Sequence, residues 1–131
     1  MSNHKRALSG ICVLLVDDEP DSRELTSFVL QQAGAKVVST SSGAEALAAI
    51  SLQVPDLVIS DVGMPEVDGY MLMRQIRQLP AAKGGCVPAI ALTAYAGGRD
   101  RQKALEAGFQ IHLSKPADID LLIQTVSESV N

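Results

Sequence analysis

An α/β fold, with a five-stranded parallel sheet covered by helices on both faces, is what this 131-residue chain predicts. Three observations lead there. Strand-like and helix-like patterns alternate five times along the chain. The strand candidates are short apolar runs rich in β-branched residues, as in strands buried on both faces. Four of these runs lead into polar residues, and α/β sheets bind ligands outside the carboxyl ends of their strands.

The elements follow in order. Residues 1–9 are polar and read as a linker or tag remnant, leaving 10–131 as one domain. The first strand, 11–17, carries Val13-Leu14-Leu15-Val16 and runs into Asp17-Asp18. Pro20 suits a first helical position, where its missing N–H costs nothing, and opens a helix over 20–33. Leu25, Phe28, Val29 and Gln32 follow i, i+3, i+4, i+7 spacing, which predicts an apolar stripe with one polar exception. Gly34 suits a left-handed cap, and a second strand covers 35–39. Ser42-Gly43-Ala44-Glu45 matches a capping box and starts a helix over 43–52. The third strand, 56–60, carries Leu57-Val58-Ile59-Ser60 into Asp61. Asp68-Gly69 reads as the turn into a helix over 69–79. The fourth strand, 87–92, ends at Thr93. A helix over 98–107 stops at Gly108, the fifth strand covers 110–113, and Lys115-Pro116 precedes a last helix over 118–130.

Bulk properties narrow the function. The chain is 47% hydrophobic and 20% charged, an ordinary globular balance, and its net charge of −4 argues against a nucleic-acid surface. No apolar stretch approaches the ~20 residues that span a membrane. The N-terminal Met1-Ser2-Asn3-His4-Lys5-Arg6 lacks the apolar region of a signal peptide, which predicts a cytoplasmic location. Cys12 and Cys86 form no Cys-x-x-Cys pair, so no redox role is expected. His112 has no second His or Cys at metal spacing, which argues against zinc.

The chemistry lies in the polar residues at the strand ends. Asp17, Asp18 and Asp61 converging there would repel one another unless a cation or protons intervene. Mg²⁺ favours a few carboxylates plus water and phosphate oxygens. A carboxylate at a strand tip beside an open loop can attack phosphorus and become an acyl phosphate. Thr93 can donate its hydroxyl to a phosphoryl oxygen, and the Lys115 ammonium is a point-charge partner for phosphate. Pro116 holds Ser114-Lys115 away from helical geometry. Each residue also has a plainer reading. Asp17 and Asp18 suit turn or N-cap acids, Asp61 a turn aspartate, Thr93 a strand-end or capping hydroxyl, and Lys115 a surface lysine.

Asp17-Asp18, Asp61, Thr93 and Lys115-Pro116, in this order at these strand ends, resemble the receiver domain of two-component response regulators. The likeness runs from about Ile11 to Val130. It implies a flavodoxin-like (βα)5 doubly wound fold that takes a phosphoryl group from the phosphohistidine of a sensor histidine kinase. Carried over by position, it implies Asp61 as phospho-acceptor, Asp18 as direct ligand of Mg²⁺ (or Mn²⁺), and Asp17 as holder of a metal-bound water. The backbone carbonyl of Gly63 would complete the protein ligands, Thr93 would be the switch hydroxyl and Lys115 the phosphate-pairing lysine. Gly-Met-Pro-Glu-Val-Asp-Gly-Tyr and Ala-Leu-Thr-Ala-Tyr-Ala look most like receivers of hybrid sensor histidine kinases. The implied partners are a histidine kinase, in cis or in trans, and a histidine phosphotransfer protein. Such a domain catalyses its own aspartyl phosphorylation without being an independent turnover enzyme.

Two positions depart from the family pattern. His112 stands where Tyr or Phe is usual, so an imidazole replaces the ring that swings inward. Gly63, two residues after the acceptor, has no side chain to position a hydrolytic water, and the bulky Tyr95 would cover the site. Together they predict a long-lived phosphoryl group. The alternatives are a stand-alone response regulator and a silent pseudo-receiver acting as an interaction module. A haloacid-dehalogenase-like phosphatase would need a second acid in Asp61-Val62-Gly63. A flavodoxin-like cofactor binder would need a Ser/Thr/Gly-rich loop where this chain has Asp-Asp-Glu-Pro.

Overall fold

A computed structural model describes residues 7–63, 68–93, 98–115 and 118–130, with the backbone alone for 98–100. Tyr95, Pro116 and hence the Lys115–Pro116 peptide lie outside the described residues.

Strands β1 (Cys12–Val16), β2 (Lys36–Thr40), β3 (Leu57–Asp61), β4 (Ala89–Thr93) and β5 (Ile111–Ser114) alternate with helices α1 (Pro20–Gln32), α2 (Gly43–Leu52), α3 (Gly69–Arg77), α4 (Gly98–Ala107) and α5 (Ile119–Ser129). A short 3-10 turn at Ala81–Lys83 precedes β4. The five strands pair in parallel in the order β2-β1-β3-β4-β5. The fold predicted from the alternating pattern is the one observed.

Side chains of a strand point alternately to the two faces of its sheet, and the core divides accordingly. Leu14, Val16, Val58, Ala89 and Ala91 face the layer formed with Ile50, Leu72, Met73, Ile76 and Ala104 of α2, α3 and α4. Val13, Leu15, Leu57, Ile59, Ile90 and Leu92 face the layer formed with Leu30, Leu122, Ile123 and Val126 of α1 and α5. Burying each large side chain contributes about 1.5–3 kcal/mol, so neither layer is dispensable. The chain leaves β1 for β2 on one side and returns to β3 on the other. That reversal of strand order opens a crevice at the carboxyl ends of β1 and β3.

Local chemistry sets the helix ends. Pro20 is at the first helical position of α1 as expected, with Glu19 as N-cap. Asp68 caps α3 by accepting from the Met71 amide at 2.8 Å, and Asp118 caps α5 in the same way through Leu121 at 2.9 Å. Gly34 and Gly108 adopt left-handed backbones, with φ of 102° and 116°.

Two expectations need correcting. The predicted stripe of α1 is only partly its buried face. Leu25 and Phe28 are 62% and 57% exposed, whereas Val29, Leu30 and Ala33 are packed. The buried strip is turned from the predicted one, keeping Val29 and adding Leu30 and Ala33. The capping box is half as drawn. The Ser42 hydroxyl accepts from the Glu45 amide at 3.2 Å, but the Glu45 carboxylate reaches the amide and hydroxyl of Ser41, not Ser42. Those bonds hold the Glu45 carboxyl below its usual pKa. In addition, Leu8 is fully buried in the α1/α5 layer, and its amide donates to the Ala33 carbonyl at 2.8 Å. Leu8 thus packs against the domain from within the stretch read as a linker.

Candidate functional site

The site grows from backbone positions that the sheet fixes. Asp17 follows β1 directly, and its amide donates to the Thr40 carbonyl of β2 at 3.1 Å. Asp61 is the last residue of β3 and pairs with Leu92 of β4. Thr93 ends β4, is buried, and its carbonyl accepts from the Lys115 amide at 2.7 Å. That bond continues the β4–β5 ladder and brings Lys115 to the mouth of the crevice.

All three expected acids meet there. Asp17, Asp18 and Asp61 each offer a carboxylate oxygen, and these oxygens lie within 4.8 Å of one another. The Lys115 ammonium sits between two of them, 3.0 Å from Asp17 Oδ2 and 3.3 Å from Asp61 Oδ2. The side chain of Asp17 is only 1% exposed, that of Asp61 12% and that of Lys115 19%, while Asp18 is open to solvent. Burial works against the Lys115 charge. The hydrogen bond and charge of Asp17, followed by the charge of Asp61, outweigh it and raise the lysine pKa. The ammonium therefore persists through the neutral range, and its contribution to folding is lost only as pH rises through that raised value.

One ammonium among three carboxylates leaves a local excess of negative charge, and oxygen-only donors at this spacing suit a hard divalent cation. Gly63 lies beside the cluster, exposed, with its amide donating to Asp61 Oδ1 at 3.0 Å. That bond fixes the carboxylate's orientation. A β-carbon at Gly63 would meet Asp61 Oδ1 at 3.7 Å, an ordinary contact, so the space for a side chain is present and unused.

The structure adds residues that the sequence did not single out. The Ser22 hydroxyl donates to Asp17 Oδ2 at 2.7 Å, and the Arg23 guanidinium to the Asp17 carbonyl at 2.9 Å. Both stand in the first turns of α1, where the only available signal was nearness to the strand-end acids. His112 is paired in register with Ala91 and half-buried. Its Nε2 is buried with no hydrogen-bond partner among the described residues. Glu19 and Asp21 face solvent.

A doubly wound sheet with acids and a lysine gathered at its strand reversal defines a class, and sequence comparison identifies it. Residues 13–127 match the family model of the response regulator receiver domain, and the chain belongs to that family. It is 46% identical over 123 residues to a 14.6 kDa protein from the sodA1 3′ region of Leptolyngbya boryana, covering 94% of this chain and 92% of that protein. It is 39% identical over 115 residues to the sensor histidine kinase RcsC of Salmonella typhimurium, covering 88% of this chain but 12% of the kinase. Among solved structures, it resembles the receiver domain of the sensor histidine kinase PA1611 of Pseudomonas aeruginosa, with a TM-score of 0.85 and 32% identity over 93% of this chain and 98% of that one. That domain was crystallised with a magnesium ion coordinated in its active-site cleft. The chemotaxis protein CheY4 of Vibrio cholerae is similar, with a TM-score of 0.85 and 30% identity over 91% of this chain and 98% of that one. Among the described residues, no helix is long and apolar enough to cross a membrane.

Proposed function

We propose that this receiver takes a phosphoryl group from the phosphohistidine of a histidine kinase onto Asp61. The observation that carries the proposal is the set of three carboxylates within 4.8 Å of one another, facing the Lys115 ammonium. Asp18, Asp61 and the Gly63 carbonyl would hold Mg²⁺, with Asp17 reached through a water; Mn²⁺, another hard dication, suits the same donors. When bound, the cation neutralises the acids and polarises the incoming phosphoryl oxygens. Asp61 attacks phosphorus in line, a P–O bond forms, and the P–N bond to the donor imidazole breaks. Lys115 pairs with a phosphoryl oxygen, and the Thr93 hydroxyl donates to another. The new charge on Asp61 biases a two-state surface formed by α4, β5 and α5.

Acetyl phosphate tests this with no kinase present. A Phos-tag gel is expected to show a retarded band in Mg²⁺ that EDTA prevents. No band in Mg²⁺, or one that survives EDTA, overturns the reading.

The likeness to RcsC suggests the receiver portion of a hybrid sensor kinase on the cytoplasmic side, passing phosphate to a histidine phosphotransfer protein. The small Leptolyngbya relative, spanned over 92% of its length, favours a stand-alone receiver instead. An antibody to this domain separates the two by the size of the band it detects in native cells.

Phosphoryl lifetime is a separate expectation. With no side chain at Gly63 to orient a hydrolytic water, the phosphorylated chain is expected to outlast seconds. Gly63→Asn, which fills open space, is expected to shorten the lifetime several-fold; decay of the retarded band measures both.

A further inference from the structure

Asp17 is held at every polar atom. Its amide donates to Thr40 and its carbonyl accepts from Arg23. Oδ1 accepts from the Glu19 amide at 3.0 Å. Oδ2 accepts two donors at once, the Ser22 hydroxyl at 2.7 Å and the Lys115 ammonium at 3.0 Å. The same ammonium reaches Asp61 Oδ2 at 3.3 Å. Ser22 therefore competes with Lys115 for the oxygen that draws the lysine away from Asp61.

We propose that Ser22 is a positioning residue that sets how Lys115 is shared between Asp17 and Asp61. A carboxylate oxygen satisfied by a short hydroxyl bond pulls less strongly on a second donor. Lys115 then remains close enough to Asp61 to meet a phosphoryl group arriving there. Without the hydroxyl, the charge of a nearly solvent-free carboxylate is balanced chiefly by Lys115. The ammonium retreats toward Asp17 and leaves the phosphoryl oxygens without their partner. The oxygens of Asp18, Asp61 and Gly63 that would hold the cation stay in place, and Lys115 only moves from one carboxylate of the cluster toward another, so divalent-cation affinity changes little while the rate of phosphoryl capture falls. A serine serving only as a first-turn hydroxyl for the helix would change stability and leave that rate alone.

The inference rests on the phosphoacceptor reading, and one experiment separates their failures. Wild type, Ser22→Ala and Ser22→Thr are compared for acetyl phosphate labelling rate, for Mg²⁺ affinity from shifts of the Gly63 amide resonance, and for melting temperature. Ser22→Ala is expected to label about fivefold more slowly, a fraction of the worth of a charge-assisted hydrogen bond, with Mg²⁺ affinity within twofold of wild type. Ser22→Thr, which keeps the hydroxyl, is expected to restore the rate. A folded Ser22→Ala chain that labels at the wild-type rate overturns the inference and leaves the phosphoacceptor reading intact. So does Mg²⁺ affinity falling in step with rate, or a Thr variant as slow as Ala. If Ser22→Ala does not fold, Ser22→Cys, isosteric but a weak donor, takes its place: a slow, folded Cys chain beside a Thr chain at the wild-type rate supports the inference, and a fast Cys chain or a slow Thr chain overturns it. Absence of labelling in wild type overturns both readings.

Discussion

Asp61→Asn is expected to abolish labelling by acetyl phosphate and by any kinase, with the retarded band falling below detection. The amide keeps the shape of the side chain but removes the anionic nucleophile, and no neighbouring acid can take over. Asp17 Oδ2 is committed to Ser22 and Lys115, and its side chain is only 1% exposed. Asp18 is exposed but stands at the end of a different strand from the oxygen that Gly63 orients. The variant should fold at least as well as wild type in the absence of cation. It loses one attraction to Lys115 but also relieves repulsion among three carboxylates that share a single ammonium. Phos-tag electrophoresis and thermal melting by circular dichroism report the two halves. Residual labelling at another residue would displace Asp61 as acceptor, and a large loss of stability would show its partnership with Lys115 to be mainly structural.

Arg77→Ala is expected to cost about 3 kcal/mol of stability, a large share of the total for a domain of this size. Its guanidinium donates through Nε and Nη2 to the Gly108 carbonyl at 3.0 and 2.7 Å, and through Nη1 to the Gly85 carbonyl at 3.1 Å. It also reaches Gln110 Oε1 at 3.3 Å, which in turn accepts from the Ala89 amide at 2.6 Å. One side chain thus ties the end of α3 to the turn before β4 and to the turn between α4 and β5. Burial pulls the guanidinium below the ordinary arginine pKa, but it remains a cation at neutral pH. Its removal leaves two backbone carbonyls short of a charged donor, each worth about 1.5–3 kcal/mol, partly recovered by water. The melting temperature should fall by about 10 °C. Arg77→Lys should not rescue, because a single ammonium cannot span the same carbonyls. These contacts lie at the opposite end of the strands from Asp61, so labelling well below the melting transition should be unchanged. A loss under about 1 kcal/mol would mean that water replaces the guanidinium without penalty.

The contrast between these residues explains what could be read in advance. Asp17, Asp18, Asp61, Thr93 and Lys115 were legible because each follows an apolar run, and parallel strands must deliver their carboxyl ends to one edge of the sheet. Once the fold class is known, the convergence follows. The rotation of α1 was only partly legible, because periodicity picked out Val29 but joined it to Leu25 and Phe28 rather than to Leu30 and Ala33, with which it packs. Leu8 was hidden for a related reason, since a single apolar residue in a polar lead has no period. Ser22, Arg23 and Arg77 act through hydrogen bonds to Asp17, Gly85 and Gly108. Such bonds depend on how elements stack rather than on any local pattern, so only coordinates reveal them.

Gly69, at the first residue of α3, carries a consequence for genetics. A β-carbon there would lie 2.5 Å from the Asp61 carbonyl oxygen and 2.7 Å from the Val62 α-carbon, both rigid backbone. Even the smallest missense change at that codon would push the tip of β3 out of line. In a screen for signalling-dead alleles, Gly69 would score beside Asp61 although it never meets phosphorus, and only a measurement of folding would tell the two kinds of allele apart.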